Sequence, residues 1–450
     1  MEKFINEHLN EMIDDLRKVV AIDSKETTDV MPFGSNNRKV LDIALDLMNK
    51  KGMKTENLDY YCGYGEVGEG DKTIGILAHL DIVPAGDGWD SDPFTLTEKD
   101  GVLYGRGVSD DKGAAIASMW AIKYLLDTGY KFKKKVRLIL GCNEETGSRC
   151  IKHYVQECGH VDMGFTPDGN FPGIYAEKGM IGGLLVGQNT KILDIKAGDA
   201  TNIVAKKCVT KLPDNSFDKE LLDKYFNNHN VKYEIMDNQL TVYGKAAHAS
   251  TPDEGVNAIS HTFMALNYAG FKDSFVEFFV KNFGLTTHGE LLGYEALKDS
   301  ESNTSINFGL AYKEESCIYV SLDMRFPVKQ HIEACQKPLM DMADDNNSFV
   351  LSSAIEPLYF DINSPFIKAL DKAYRDVSHD YDTKMEAIGG GTYAKAINNI
   401  IAFGCEFQNE SNHIHDANEC LSIESFKKQI LIYIEAIKNL NEVAWWINLP

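Results

Sequence analysis

Apolar residues recur at helical spacing in two segments near the start of the chain. In residues 6–20 the apolar positions are Leu9, Met12, Ile13, Leu16, Val19 and Val20. They return every three or four residues, which is the spacing of one buried helix face. Residues 38–50 follow the same rule. We therefore predict two amphipathic helices at the start of the chain.

Short apolar runs that end in polar or glycine-rich turns follow these helices. Residues 74–78 end at His79, residues 136–140 end at Gly141, and a helical stretch at 114–126 lies between them. Strands that alternate with helices predict an α/β fold with a mixed, mostly parallel sheet. In such sheets functional sites form at the carboxyl ends of the strands.

The pattern changes over residues 183–356. Residues 239–243 and 317–322 alternate between apolar and polar, which predicts antiparallel, half-exposed strands, and a helical run at 258–266 lies between them. After residue 357 the alternation of strands and helices resumes, with predicted helices at 366–377 and 425–440. A chain of 450 residues is also long for one hydrophobic core. We therefore predict a catalytic domain made of residues 1–182 and 357–450, with an α+β domain inserted at 183–356.

The charge and composition of the chain argue against some classes of binding partner. The formal net charge of -21 argues against nucleic acid and anionic membranes, because both select clustered Lys and Arg. The sequence contains no apolar run of about 18 residues and no signal-peptide pattern at its start. The nine cysteines include no Cys-x-x-Cys pair, so we expect reduced thiols and a cytoplasmic protein.

Two fragments near the first predicted strand carry candidate ligands. His79 and Asp81 point to the same side of an extended chain, and a carboxylate there can hold the second nitrogen of a metal-binding imidazole. Asp110 and Asp111 lie in a glycine-dense loop, and glycine permits close backbone approach. Taken alone, each fragment is more typical of a strand-end turn or a helix cap.

Three further fragments carry carboxylates and histidines. Glu144 and Glu145 follow the strand at 136–140 and point to different sides, so one can bind metal while the other acts as a general base. Asp168 ends another apolar segment, and His413 and His415 precede the last helix. Each of these fragments alone is also compatible with an ordinary surface loop.

Together the fragments supply two histidines and three carboxylates as ligands. This set suits two divalent cations about 3.5–4 Å apart that share one carboxylate and one water. Imidazole and carboxylate ligands favour zinc, with manganese or cobalt as alternatives.

The five fragments, in this order, resemble the co-catalytic zinc metallopeptidase family that includes aminoacylase, carboxypeptidase G, succinyl-diaminopimelate desuccinylase and peptidase V. The motifs specific to it are His-Leu-Asp-Ile-Val-Pro at 79–84, Gly-Arg-Gly at 105–107 with Asp-Asp-Lys-Gly at 110–113, and Asn-Glu-Glu-Thr-Gly at 143–147. The resemblance covers nearly the whole chain and implies a phosphorylase/hydrolase-like zinc exopeptidase domain with an inserted lid domain. Residues 89–94, the aspartate after Asp110, the aspartate at 168 and residues 389–394 look like the dipeptidase branch typified by peptidase V.

The resemblance implies five metal ligands. One cation would be held by His79 and Asp168, the other by Glu145 and His415, and Asp110 would bridge the two. We prefer His415 to His413 because it begins a His-x-x-Asn-Glu pattern.

The resemblance also implies the roles of three neighbouring groups. Asp81 would orient His79, and Glu144 would deprotonate the bridging water and pass the proton to the leaving amine. The peptide bond between Asp110 and Asp111 is expected to be cis.

Five residues are implied to contact the substrate: Asn202, His248, Arg325, Gly391 and Thr392. His248 would stabilise an oxyanion and Arg325 would clamp the terminal carboxylate of the substrate. Asn202 departs from the family pattern, because Ala205 stands where a proline is often found. Two other interpretations stay open: a loop histidine at 248 and a structural ion pair at Arg325.

These features predict a metallo-dipeptidase that takes small dipeptides, including β-alanyl dipeptides. An N-acyl amino acid deacylase or desuccinylase would use the same dinuclear site and is the alternative. A non-catalytic metal-binding protein is a more remote alternative, because metal binding alone does not require Glu144. We expect a monomer, because the large insertion lets one chain supply its own lid.

Overall fold

The computed structural model of the chain describes residues 1–300 and 302–444. The described chain divides into two compact units. Within the described residues, unit 1 comprises Met1–Tyr175, Phe360–Glu386 and residues 391–444, and unit 2 comprises Ala176–Tyr359 and Ala387–Gly390. The expected insertion at 183–356 lies inside unit 2. Unit 2 begins earlier, at Ala176, ends later, at Tyr359, and also includes the separate segment Ala387–Gly390. The tryptophan pair at 445–446, for which we expect packing onto the domain, lies outside the described residues.

The described residues contain helices at all six segments predicted as helical and at four others. They are α1 (Glu2–Val20), α2 (Ser35–Lys50), α3 (Lys112–Asp127), α4 (Arg149–Cys158), α5 (Lys219–His229), α6 (Ala258–Tyr268), α7 (Ser274–Asn282), α8 (Ile332–Asp341), α9 (Pro365–Ser378) and α10 (Ile423–Glu442). Local chemistry sets some of these ends. Ser422, for example, precedes α10 and accepts the main-chain N–H of Ser425 at 3.0 Å, which caps the helix.

The strands of the described chain are short and numerous. They are β1 (Lys54–Leu58), β2 (Cys62–Val67), β3 (Thr73–His79), β4 (Thr97–Lys99), β5 (Val102–Tyr104), β6 (Lys135–Gly141), β7 (Met163–Thr166), β8 (Ile174–Glu177), β9 (Gly179–Gly187), β10 (Asp194–Ala197), β11 (Lys207–Lys211), β12 (Lys232–Met236), β13 (Gln239–Tyr243), β14 (Ser305–Asn307), β15 (Ala311–Glu314), β16 (Cys317–Phe326), β17 (Asn347–Ile355), β18 (Leu358–Tyr359), β19 (Glu386–Ile388), β20 (Ile400–Ala402) and β21 (Cys420–Ser422).

The main sheet of unit 1 is mixed, as predicted. Its strands follow the order β1-β2-β6-β3-β7-β20-β8. The four central strands β6, β3, β7 and β20 run parallel, whereas the flanking strands pair antiparallel. Every residue of β3 after Thr73 is buried, as expected for a strand covered on both faces. Parallel pairing is thus confined to the centre, where the predicted strands lie.

Unit 2 contains a second sheet that is antiparallel throughout. Its order is β12-β13-β11-β10-β15-β16-β9-β17, with β14 paired to β16. The helices α5, α6 and α7 contribute Leu222, Phe263 and Phe279 to its apolar core. This arrangement agrees with the α+β character predicted for the middle of the chain.

Two further observations concern the described residues as a whole. None of the helices in the described residues is long and apolar enough to cross a membrane. The nine cysteines all lie in the described part of the chain and are free thiols.

Candidate metal centre

The candidate ligands of unit 1 follow the carboxyl ends of three adjacent parallel strands. β6, β3 and β7 are neighbours in the sheet. His79 is the last residue of β3, Glu144 and Glu145 follow β6, and Asp168 follows β7. Because parallel strands end at the same edge, these side chains meet where sites of α/β sheets form.

Asp110 lies in the loop that leads into α3. A Cβ atom at Gly113 would lie 2.0 Å from the carbonyl oxygen of Val108, so only glycine lets the helix begin this close to the loop. The Asp110–Asp111 peptide bond is cis, as the resemblance implies. Asp111, for which we predicted no role, is buried and accepts the main-chain N–H of His79 at 3.1 Å. Its carboxylate therefore connects the loop to the end of β3.

The two oxygens of Asp110 face two different histidines. Oδ1 lies 3.0 Å from Nε2 of His79, and Oδ2 lies 2.9 Å from Nε2 of His415. On the first side, Asp168 Oδ2 is 3.9 Å from His79 Nε2, and on the second, Glu145 Oε2 is 3.3 Å from His415 Nε2. One carboxylate thus stands between two His–carboxylate pairs.

This donor set fits two divalent cations. The groups His79–Asp110–Asp168 and Asp110–Glu145–His415 each offer ligand atoms that lie within 4.8 Å of one another, and they share Asp110. His413 belongs to no such group among the described residues. Imidazole nitrogens and carboxylate oxygens are ligands of zinc, and of manganese or cobalt.

The close carboxylates of the cluster also favour the binding of cations. Burial, together with Asp110, raises the pKa of Asp168 well above its usual range. Burial likewise opposes the ionisation of Asp110, but hydrogen bonds with His415 and His79 lower the pKa of Asp110 overall. Carboxylates this close repel one another unless positive charge lies between them, and a bound divalent cation supplies that charge.

The carboxylate of Asp81 has a contact that the sequence did not predict. Its two oxygens accept the main-chain N–H groups of Glu144 and Glu145, each at 3.0 Å. Nδ1 of His79 lies 3.0 Å from the main-chain oxygen of Asp81 and 3.5 Å from its carboxylate. Asp81 therefore contacts His79 mainly through its backbone, and its carboxylate holds the loop of the two glutamates.

Glu144 lies beside the ligand cluster and is half-buried. It forms a further group of possible ligand atoms with His79 and Glu145. Burial, aided by the negative charges of Glu145 and Asp81 and opposed by His79, raises the pKa of Glu144 to about 7. Bound cations would lower this value, because they favour the charged form of the carboxylate.

The loop of Glu144 and Glu145 is held from a second side by Glu26. The carboxylate of Glu26 accepts the side-chain N–H of Asn143 at 3.0 Å, and Asn143 in turn accepts Nε–H of Arg149 at 3.1 Å. We predicted no role for these residues. Glu26 lies more than a hundred positions before the loop, so only the fold reveals the contact.

Two predicted substrate residues, Asn202 and His248, are neighbours in unit 2. The main-chain oxygen of Asn202 accepts the N–H of Ala249 at 2.9 Å, and Ile203 pairs with His248 in an isolated β-bridge. His248 is exposed, and its Nδ1 lies 2.8 Å from Oγ of Ser250. The structure thus brings these two residues together on two adjacent surface segments.

Arg325, also in unit 2, is engaged in an ion pair. Its Nε and Nη2 donate to the two oxygens of Asp323 at 2.6 and 2.9 Å. Nη1 contacts the sulfur of Met180 and lies 3.5 Å from the carbonyl oxygen of Gly389. This geometry is the structural ion pair that the sequence analysis left open as the other interpretation.

Gly391 and Thr392 belong to unit 1, unlike the other predicted substrate residues. Gly391 is exposed and Thr392 is half-buried. Oγ1 of Thr392 accepts the N–H of Ala394 at 3.2 Å and caps the short helix Tyr393–Ala396. Tyr393, a buried residue with no predicted role, packs its ring edge-on against His79 with 5.8 Å between ring centroids.

Three comparisons place the chain among known proteins. The sequence profile of "Peptidase family M20/M25/M40" matches residues 75–439. A protein of Staphylococcus haemolyticus that carries the name "Putative dipeptidase" is 31% identical, over 97% of this chain and 98% of its own length. The crystal structure of human carnosine dipeptidase 1 superposes with a TM-score of 0.58 at 16% identity, over 98% of each chain. A Bacillus subtilis protein described as a dinuclear metal binding peptidase from the M20 family gives a TM-score of 0.53 at 13% identity, over 97% of this chain and 98% of that one.

Proposed function

The chain belongs to peptidase family M20/M25/M40 and is a peptide-bond hydrolase, and from this premise we propose that it is a dipeptidase with a dinuclear metal centre. The observation that carries the proposal is the position of Asp110, whose two oxygens each lie within 3.0 Å of a different histidine. The dipeptidase name of a relative that spans nearly the whole chain supports small dipeptides as the substrate class. We include β-alanyl dipeptides in this class.

Five side chains would hold the two cations: His79, Asp110 and Asp168 on one side, and Asp110, Glu145 and His415 on the other. We propose zinc, with manganese and cobalt as alternatives. When bound, such cations polarise the scissile carbonyl and lower the pKa of a water molecule.

The remaining chemistry belongs to the side chains of the protein. A carboxylate oxygen of Glu144 takes a proton from the attacking water and delivers it to the leaving amine nitrogen. Its neighbour Glu145 is assigned to the metal, because Oε2 of Glu145 lies 3.3 Å from Nε2 of His415 in the second group of ligands. Asp81 keeps both glutamates in place through their main-chain N–H groups.

For the substrate we propose the contacts implied by the resemblance. His248 would donate to the oxyanion, with Asn202 beside it, and Gly391 and Thr392 would offer donors to the terminal carboxylate. Arg325 would clamp that carboxylate with N–H groups of Nη1 and Nη2, because Asp323 accepts only Nε–H and one N–H of Nη2.

We also propose a cytoplasmic, monomeric protein. The nine free thiols are typical of a reducing compartment. Sedimentation of the purified chain tests the monomer.

Replacement of the proposed general base tests the mechanism. Glu144→Ala should bind the same number of zinc ions as the wild type, because Glu144 is not assigned as a ligand. Its kcat on a dipeptide should fall by about 10²–10⁴-fold, the usual contribution of a positioned general base. Glu157→Ala, at an exposed position of α4, is the matched control and should keep full activity. Substantial residual turnover in Glu144→Ala would show that another group moves the proton.

A substrate panel tests the dipeptide assignment. Dipeptides, β-alanyl dipeptides and N-acyl amino acids are compared with zinc and with manganese. We expect cleavage of the dipeptides. Cleavage of N-acyl amino acids alone would show a deacylase with the same metal centre.

A further inference from the structure

Glu419 is a buried carboxylate that no assigned role uses. It is 0% exposed and lies four residues after His415. Each of its oxygens accepts two hydrogen bonds from the loop that carries Asp110. Oε1 accepts the main-chain N–H groups of Ser109 and Asp110 at 2.9 and 3.0 Å. Oε2 accepts the main-chain N–H of Gly107 at 2.9 Å and Nη1–H of Arg106 at 2.8 Å.

These bonds fix the backbone of Asp110 itself. The N–H of Asp110 is one of the four donors. The backbone from which the Asp110 side chain extends is therefore held in place relative to Glu419. A buried carboxylate is stable only when charge and hydrogen bonds compensate its lost hydration. Three N–H groups and a guanidinium provide that compensation here. The loop and Glu419 therefore stabilise each other.

Arg106 is fixed in turn by the segment that follows β3. It is 1% exposed and also donates to the carbonyl oxygen of Ala85 at 3.2 Å. Its guanidinium lies over the ring of Trp89, at 5.2 Å from the centroid. The ion pair of Arg106 and Glu419 thus connects the segment after His79 with the segment after His415.

We propose that Glu419, paired with Arg106, is the positioning residue of Asp110 and sets the affinity of the metal centre. By fixing the loop backbone it keeps Oδ1 of Asp110 towards His79 and Oδ2 towards His415. Glu419 touches none of the reacting groups and acts only through Asp110. The inference rests on the proposed function, because it takes metal binding by Asp110 as its premise.

Glu419→Gln is the most informative variant. The amide has one oxygen, whereas each oxygen of the carboxylate accepts two N–H groups. In either orientation the amide NH₂ therefore faces two donors, either those of Ser109 and Asp110 or those of Gly107 and Arg106. The side-chain volume is unchanged, so the variant alters hydrogen bonding and charge alone. Glu424→Gln, an exposed glutamate in the first turn of α10, is the matched control.

The measurement is zinc affinity, obtained by titrating the metal-free full-length proteins with Zn²⁺ in competition with a chromophoric chelator. We expect Glu419→Gln to bind zinc about 10–100-fold more weakly than the wild type, the usual cost of removing a partner behind a ligand. Glu424→Gln should bind within twofold of the wild type. The rise in Tm on adding saturating zinc should also be smaller for Glu419→Gln, independently of the Tm of the metal-free protein.

The outcomes separate a positioning role from a purely structural one. If Glu419→Gln lowers the Tm of the metal-free protein but binds zinc like the wild type, the inference is overturned while the proposed function stands. If the wild type itself binds neither zinc nor manganese, the proposed function fails and this inference fails with it. If Glu419→Gln does not fold, Arg106→Lys replaces it, because that variant keeps the three main-chain bonds to Glu419. Arg106→Lys must then weaken zinc binding severalfold, and an affinity within twofold of the wild type overturns the inference.

Discussion

At the scale of single residues, Asp81 contacts both the proposed metal ligand His79 and the loop of Glu144 and Glu145. Its oxygens accept the N–H groups of Glu144 and Glu145, while its main-chain oxygen lies 3.0 Å from Nδ1 of His79. The backbone oxygen of any residue at this position would still accept from His79. The carboxylate is needed for the two glutamates.

Asp81→Asn tests this division. Asparagine has one side-chain oxygen, so one of the two N–H groups must lose its acceptor, at a cost of about 1–3 kcal/mol. We expect kcat on a dipeptide to fall at least tenfold, because Glu144 is no longer held in place, and zinc affinity to fall as well, because the proposed ligand Glu145 is held by the same carboxylate. The control is Asp87→Asn, at an exposed position nearby. A wild-type kcat in the zinc-loaded variant would show that the carboxylate is not needed to hold Glu144.

Sequence patterns predicted the ligands but not the residues that hold them. His79, Glu145 and Asp168 each follow an apolar strand, and this position separates them from ordinary surface residues. Glu419 and Glu26 contact their loops across large sequence separations, with no local periodicity to indicate the contact. The His-x-x-Asn-Glu pattern was the one available signal for Glu419.

At the scale of elements, strand order explains why the ligands meet, and a lysine explains how the last helix is attached. Nζ of Lys134, the residue before β6, donates to the carbonyl oxygens of Leu440, Asn441 and Val443 at 2.9, 2.8 and 3.0 Å. The last carbonyls of a helix have no partner within the helix, and a cation there also interacts favourably with the helix dipole. Lys134 therefore caps α10 and connects it to the central sheet.

Lys134→Met should remove this cap. Three carbonyl groups lose a charged donor, so we expect unit 1 to lose about 1–3 kcal/mol of unfolding free energy. Tryptophan fluorescence during urea unfolding measures this loss, because unit 2 contains no tryptophan. Lys133→Met is the control, since Lys133 is exposed and pairs with Glu442 at the surface. Lys133→Met should lower the unfolding free energy by less than about 1 kcal/mol. An equal loss of unfolding free energy in both variants would contradict the proposed capping of α10 by Lys134.

The pattern of apolar residues predicted the central strands β3 and β6 and six of the ten helices in the described residues, but not α4, α5, α7 and α8. It did not predict the antiparallel flanks of the main sheet, such as β1 and β2. Half-exposed short strands give a weak periodic signal, and their pairing depends on neighbours far away in the sequence. The sheet is accordingly less parallel than the sequence suggested.

At the scale of the whole molecule, the ligands of the proposed centre are spread from residue 79 to residue 415. All five lie in unit 1, although unit 2 interrupts that unit in the sequence. Unfolding of unit 1 would separate the ligands, so cations should bind the folded state alone. Metal binding and the stability of unit 1 are therefore linked.

Chelation tests this linkage. Removal of metal should lower the Tm of the transition reported by tryptophan fluorescence, because the carboxylates around Asp110 then repel one another. At a free zinc concentration of about a thousand times Kd, the expected stabilisation is about 4 kcal/mol. Zinc added back should restore the original Tm. A Tm that is the same with zinc and with excess chelator would contradict a metal centre within unit 1.

The most direct test of the central claim is a titration of the metal-free enzyme with zinc while the hydrolysis of a dipeptide is followed. Two cations that share Asp110 predict an activity that rises with added zinc and reaches its plateau at two equivalents per chain. A plateau at one equivalent, or dipeptide hydrolysis that persists in excess chelator, would contradict the dinuclear centre.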